Sequence, residues 1–307
     1  MLPFSIIITC HNQKQFIRHT VDSALAQSFA GREVIVVDDA SSDGSVQLLE
    51  QFGDRIHLLK QPLNQGPNAA RNLGASVARG RFLVFLDGDD LLLPWALDSF
   101  ARIISLQQPA ILLGRLLFFS GPPPSPSFLS FGSCLQVAVY PALVRKDRTY
   151  RGSASAIVID RDVFAAVGGW TLDFFPSDID DLSLKLAYSG RTVHILSHPT
   201  TLYRIHENNT VHQVGRFLDS MALLVRKEQL GGYPGGSAGR FERRAFLGGP
   251  VFFWFHRGLR ARLYWRSLKF LASGSGMVLA GLLSRARAKL RGRSPVQTIE
   301  MPPAAGG

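Results

Sequence analysis

Apolar residues in the first hundred positions fall into two alternating patterns. Phe4 to Thr9 and Val34 to Val37 are short, mostly β-branched runs, and Ile56 to Leu59 and Phe82 to Leu86 repeat the theme. Uninterrupted apolar runs of this length predict strands covered on both faces. Between them, Gln15 to Ser28 places Ile17, Val21, Ala24 and Leu25 at helical spacing, and a second helix is predicted from about Pro67 to Ala78. Such strands joined by helices predict an α/β fold built on a doubly wound, mostly parallel, Rossmann-like sheet. Ligands bind such sheets beyond the carboxyl ends of the strands, which selects the positions after Ile8, Val37 and Leu86.

The pattern breaks at Gly121 to Gly132, a Pro/Ser-rich stretch that predicts a surface loop. A second α/β portion follows. It has a strand near Ser155 to Ile159, a helix from about Arg161, another from about Asp180 to Ser189, and a strand at Val193 to Leu196. The body closes near Thr210, and one more helix ends near Leu230. The segment GGYPGGSAG, residues 231–239, reads as a hinge or linker. Phe252 to Leu271 is a candidate helix with Phe252, Phe255, Leu259, Leu263 and Phe270 as its apolar positions. The expected organisation is a body over 1–214, a helical extension over 215–295 and a flexible tail over 296–307.

Charge sharpens that division. The net charge of the 307 residues is +11. Through Val214 there are 18 Lys and Arg against 19 Asp and Glu, whereas from Gly215 onward there are 16 against 4. A near-neutral body therefore carries a basic extension whose expected partner is polyanionic, a membrane surface or nucleic acid. The uncharged stretch Phe270 to Ser284 has 15 residues interrupted by glycine, short of a transmembrane span. No basic segment precedes the first apolar run, so it reads as a buried strand rather than a signal peptide, and the expected location is cytoplasmic. Two cysteines, Cys10 and Cys134, form neither a disulfide framework nor a metal spacing.

Candidate chemistry sits at the strand ends. Asp38 and Asp39 close the second strand, where a carboxylate can accept a hydrogen bond from a nucleobase or ribose, or simply cap the next helix. Asp87-Gly88-Asp89-Asp90 closes the fourth; two carboxylates across a small residue give the hard oxygen ligands that a divalent ion between phosphates requires. The D-x-D string recurs at Asp160/Asp162 and Asp178/Asp180, so position in the sheet, not the string, favours Asp87/Asp89. Asp180-Asp181 begins a predicted helix, where carboxylates either complement the dipole or serve as a general base. Cys10 reads as a small core residue, and His57, His194 and His198 as surface or structural. Neither G-x-G-x-x-G nor a Gly-Lys pair occurs, nor does H-E-x-x-H, which removes the dinucleotide, Walker and zincin chemistries.

Taken together, SIIITCHNQKQFIRHTVDSALAQSF, EVIVVDDASSDGS, NQGPNAARNLGASVARGRFLVFLDGDD, GSASAIVIDRDVFAAVGGW and DIDDLSLKLAYSG resemble, in order and spacing, the family 2 glycosyltransferases of the GT-A fold, over about residues 3 to 212. The resemblance implies an inverting transfer of sugar from a nucleoside diphosphate-sugar, typically a UDP-sugar, to a glycan or glycolipid hydroxyl, with Mn2+ or Mg2+ as cofactor. It implies that Thr9 and Asn12 line the nucleotide pocket, that Asp39 reads the base with Asp38 supporting the turn, and that Arg71 lies near the diphosphate. Asp87 would contact ribose or metal-bound water, Asp89 would ligate the metal, and Asp181 would be the base beside Asp180. Trp170 would belong to the acceptor side, and His206, in Tyr203-Arg204-Ile205-His206, would reach the metal or diphosphate. His11 stands where an aromatic often stacks on the base, and Asp180 where Glu is usual.

The resulting expectation is a transferase of cell-surface polysaccharide or glycolipid synthesis, peripheral on the inner face of the cell membrane, with the basic extension on anionic lipid. Its rivals are a nucleotide-sugar-binding protein without turnover and a nucleic-acid-associated module that uses the basic extension, whose Arg and aromatic residues suit bases as well as headgroups.

Overall fold

The computed structural model describes residues 3–124, 134–148, 150 and 152–301. Most of the expected loop at Gly121 to Gly132 lies outside the described residues. The central sheet is built on β1 (Phe4–Cys10), with β2 (Arg32–Asp38) and β4 (Phe82–Asp87) parallel on either side and β3 (His57–Lys60) parallel beyond β2. On the other flank β9 (Ile157–Asp160) is antiparallel to both β4 and β6 (Ile111–Leu113), and β10 (Thr192–Ile195) is parallel to β6. Then β8 (Cys134–Tyr140) and β12 (Val296–Glu300) complete an order of β12-β8-β10-β6-β9-β4-β1-β2-β3. Only β8 and β9 run against the rest, so the expected mostly parallel, doubly wound sheet is present. A small second sheet joins β5 (Leu91–Leu92), β11 (Thr201–Arg204) and β7 (Leu116–Phe119) beside the end of β4.

The period of two along each strand divides the core. Phe4, Ile6 and Ile8 of β1, with Val34 and Val36 of β2 and Phe82, Val84 and Leu86 of β4, face one layer, where α1 (Ile17–Leu25) and α4 (Ala96–Gln107) cover them. Ile7, Ile35, Val37, Leu83 and Phe85 face the other, against α3 (Pro67–Val77), α5 (Arg161–Ala166) and α6 (Asp178–Lys185). Gly74 lets α3 lie close on the sheet, because a Cβ there would stand 2.5 Å from Ile7 Cγ2.

The extension departs from expectation in three places. The helix expected at Phe252 to Leu271 is instead two long helices, α8 (Arg240–Arg260) and α9 (Tyr264–Arg291). At the break Arg262 is left-handed (φ 60°), its N–H donates to Leu259 O, and Leu263 N–H reaches back to Gly258 O. This pair of bonds is a Schellman closure, built on Arg where Gly is usual. The segment 231–239 is an ordered strap rather than a linker: Tyr233 is buried in it, and Gly235 (φ 90°) packs where a Cβ would meet the Tyr188 ring. Finally, 296–300 of the expected flexible tail is strand β12, antiparallel to β8, with Ile299 in the core; residues 302–307 lie outside the described residues.

A third core joins α7 (Val214–Gln229), α8 and α9 to the body through Leu184 of α6. Within it Arg243 on α8 forms a fully buried ion pair with Glu228 on α7, at 2.6 Å, and the same guanidinium donates to the carbonyls of Pro234 and Gly236 in the strap. Removing one member of a fully buried pair leaves an uncompensated charge. Arg243→Leu is therefore expected to lower the unfolding free energy by about 3–5 kcal/mol in urea titration, and Arg243→Leu with Glu228→Gln by clearly less.

Candidate active site

At the carboxyl ends of β1 and β2 the chain makes two tight, interlocked turns. Asp38 accepts the Ser41 N–H, and Asn12, left-handed at φ 52°, accepts the Ser42 N–H on its side-chain oxygen while its own N–H donates to Ser41 Oγ. The Asp39 carboxylate is buried and accepts the N–H groups of Gln65 and Gly66, each at 2.8 Å, which draws the loop before α3 over the sheet. His11 is fixed at the mouth. Side-chain amides of Asn64 and Asn12 donate to its Nε2, so the ring proton sits on Nδ1 and is given to the Asp39 carbonyl at 2.7 Å. His11 is exposed at that mouth. Thr9 lies beneath, buried, and its carbonyl oxygen would be 2.6 Å from a Cβ at position 88, which explains the glycine between Asp87 and Asp89. Burial, followed by the charge of Asp38, pushes the Cys10 thiol up to about 12, so Cys10 is a core residue and no nucleophile.

Arg71 of α3 binds Asp87 and Asp178 at 2.7 Å each and Asn68 Oδ1 at 2.8 Å. Burial works against its charge, but the two carboxylates prevail and hold the guanidinium more basic than usual. Arg71 is thus an internal clamp that joins β4 to the start of α6, and its fork is occupied rather than turned toward a diphosphate. Trp170, expected on the acceptor side, is only 2% exposed; it packs edge-on against Phe85 and carries the Arg71 guanidinium 4.8 Å above its ring. Its large apolar surface is needed in the core.

Asp89 and His206 lie 117 positions apart, yet His206 Nε2 is 2.8 Å from Asp89 Oδ2. Arg204 secures the contact, with its Nε on the Asp89 carbonyl and its N–H on the carboxylate of Asp90. Burial, then Asp89 and Asp87, push the Asp90 carboxyl well above the usual range. Among the described residues no group of three or more His, Cys, Asp or Glu side chains gathers around one point. One carboxylate oxygen beside one imidazole nitrogen nevertheless suits an ion such as Mn2+ or Mg2+ that completes its shell with phosphate oxygens and water.

The acid pair of α6 divides. Asp181 is fully buried: Thr171 Oγ1 donates to one oxygen at 2.7 Å, and Lys227 Nζ and the Tyr233 hydroxyl donate to the other at 2.8 and 2.6 Å. Asp180 is half-buried instead, and burial, then Asp178, push its carboxyl up to about 7 against the pull of Lys146. Burial in turn pushes the Lys146 ammonium down to about 8, with Asp180 opposing. Lys146, Lys227 and Tyr233 escape a reading of the sequence; they meet α6 only in three dimensions.

A doubly wound sheet with its carboxylates at the carboxyl ends of β2 and β4, and a helical C-terminal part, is the GT-A architecture, and it superposes on the crystal structure of S. aureus TarS 1–349 in complex with UDP-GlcNAc. The TM-score is 0.69 at 19% identity, over 94% of this chain and 88% of that one. Residues 5–130 match the model of glycosyl transferase family 2, and the chain carries a domain of that family. Over 101 residues it is 40% identical to the putative teichuronic acid biosynthesis glycosyltransferase TuaG of Bacillus subtilis, a match that spans 32% of this chain and 39% of TuaG. Over 223 residues it is 27% identical to the Escherichia coli UDP-Glc:alpha-D-GlcNAc-diphosphoundecaprenol beta-1,3-glucosyltransferase WfaP, across 69% of this chain and 86% of WfaP.

The strap is an integral support of this site. Tyr233→Phe removes one of three donors to Asp181 without changing the ring, so a loss of about 1 kcal/mol is expected in chemical denaturation, less than for Lys227→Met, which strips the buried carboxylate of its cation.

Proposed function

We propose that the chain transfers a sugar from a nucleoside diphosphate donor to an acceptor hydroxyl with inversion. The observation that carries this reading is the meeting of Asp89 and His206 at the carboxyl edge of the sheet, beside Asp87 and across from Asp39. Asp39 and His11 receive the base, with Thr9 and Asn12 shaping the turn beneath it. Asp89 and His206 would hold Mn2+ or Mg2+, which supplies neutralisation of the charge on the departing diphosphate. Asp87, fixed by Arg71, faces the ribose or a water of the ion. WfaP is named for a UDP-glucose donor and a diphosphoundecaprenol-linked acceptor, and TarS was crystallised with UDP and UDP-GlcNAc. These names support a UDP-sugar as donor and a glycan or glycolipid of cell-surface synthesis as acceptor.

We assign the acceptor proton to Asp180 instead of Asp181. Asp181 is saturated by three donors and out of reach of an acceptor, whereas Asp180 borders solvent and is poised near neutrality. In one displacement the acceptor oxygen bonds to the anomeric carbon, the bond to the diphosphate breaks with its electron pair, and the proton passes to Asp180. Asp181 then acts as a positioning residue that anchors the first turn of α6.

Asp180 must be ionised to act, and its affinity for the proton is raised. Turnover should rise tenfold per pH unit below about 7 and level off above it. Asp180→Asn is expected to lower kcat by roughly 10²- to 10⁴-fold, to abolish that rise and to leave donor affinity nearly unchanged. Full activity of Asp180→Asn would return the proton to another group. A panel of sugar nucleotides assayed with and without Mn2+ tests the reaction itself. Asp89→Ala should lose ion-dependent donor binding, measured by calorimetry, while retaining its melting temperature; undiminished binding would move the ion elsewhere.

A further inference from the structure

Among the described residues the outer face of α9 has no partner. Its inner face, Ser267, Phe270, Gly274, Met277 and Gly281, packs against α8 and α7 at helical spacing. Glycine permits this approach: a Cβ on Gly248 would stand 2.4 Å from Met277 O, and one on Gly274 would stand 2.7 Å from Val251. Half a turn away, Trp265 is 79% exposed, Leu268 51%, Leu279 58% and Leu283 47%. Only Ala272, Ser275 and Gly276 intervene on that side, so the row is uncharged along most of the helix. Phe252 and Phe253 of α8 are exposed as well. Cations mark both ends of the row, Lys269 at one and Arg287, Lys289 and Arg291 at the other. Between Glu242 and Glu300 the chain has no carboxylate.

We propose that the α8–α9 hairpin lies flat in the headgroup region of an anionic bilayer, with Trp265, Leu268, Leu279 and Leu283 immersed and the terminal cations on lipid phosphates. An apolar row flanked by Arg and Lys, with no acid to repel phosphate, matches the chemistry of that surface. A second copy of the chain is disfavoured as the occupant, because it would bring two strongly basic extensions together.

The hairpin does not cross the membrane. At 28 residues, or about 42 Å, α9 is long enough, and it is apolar enough, to do so. Both of its ends, however, are held by the body. Arg266 binds Asp219 and the Gly215 carbonyl of α7, and five residues beyond Arg291 the chain enters the central sheet as β12. A span would place those ends on opposite sides of the hydrocarbon, whereas a helix lying in the interface keeps both on the protein side. This inference concerns where the enzyme sits and holds independently of the transfer reaction, since its test uses no donor.

The full chain is mixed with vesicles of phosphatidylcholine, with and without phosphatidylglycerol, and with lipids brominated at different depths. Sedimentation should increase with phosphatidylglycerol and fall with salt, and bromines near the headgroups should quench Trp265. Trp265→Phe, which retains Trp95, Trp170 and Trp254, should lose that quenching. Lys269→Glu and Lys289→Glu, both at exposed positions, should each lower partitioning by roughly fivefold or more. Leu268→Glu with Leu283→Glu should also release the protein while leaving its melting temperature unchanged, because both side chains are half exposed. Quenching strongest at the bilayer centre, undiminished binding of the Leu268→Glu/Leu283→Glu variant, absence of vesicle binding, or a lipid-free dimer that shields Trp265 would each overturn the proposal.

Discussion

Carboxylates gathered at one edge of a sheet repel one another, and the manner in which this protein answers that repulsion organises much of its structure. Asp87, Asp89, Asp90, Asp178, Asp180 and Asp181 converge there from β4 and α6. Each cation that answers them comes from a different element: Arg71 from α3, Arg204 from β11, Lys227 from α7, and Lys146 from the segment after β8. Coulomb attraction in a dry interior is strong, but only if the partners are held in place. The acids therefore tie together elements that share little apolar surface. At Asp180 only Lys146 opposes burial and the acidic neighbours, and its proton affinity is raised.

The parts legible in the sequence are those governed by local rules. Strands β1, β2 and β4 could be read because both faces of the sheet are covered there, so each appears as a nearly continuous apolar run. Asp39 and the Asp87–Asp89 pair could be located because strand ends are marked by the change from apolar to acidic residues. The distinction between Asp180 and Asp181 could not be drawn, since it depends on Lys227 and Tyr233, which lie 46 and 52 positions away. The resemblance implies an acceptor-side Trp170, yet the space between Phe85 and Arg71 claims it.

Composition misled most in the C-terminal part. Five glycines in nine residues read as a flexible connection, but here left-handed glycines shape a fixed turn around one buried tyrosine, and Arg243 locks two of its carbonyls. A helix boundary was missed because its left-handed residue is Arg262, which carries none of the usual punctuation. The extension is no appendage: its third core includes a residue of α6, and its strap supplies a donor to Asp181.

The return of the chain to the sheet as β12 has a consequence for handling the protein. β12 covers the free side of β8, whose far neighbour is β10. Trimming the chain before Val296 would uncover β8 along Cys134–Ala138 and leave the backbone N–H and C=O groups that face β12 unpaired, on a strand that contains Leu135, Val137 and Val139. A strand exposed in this way is a template for joining other molecules. With β12 in place the outermost strand is short, exposes Gln297 and Thr298 and ends in Glu300, a poor surface for such growth. The last strand thus acts as a guard against aggregation, and shortened versions of the chain should be judged by their solubility before their activity.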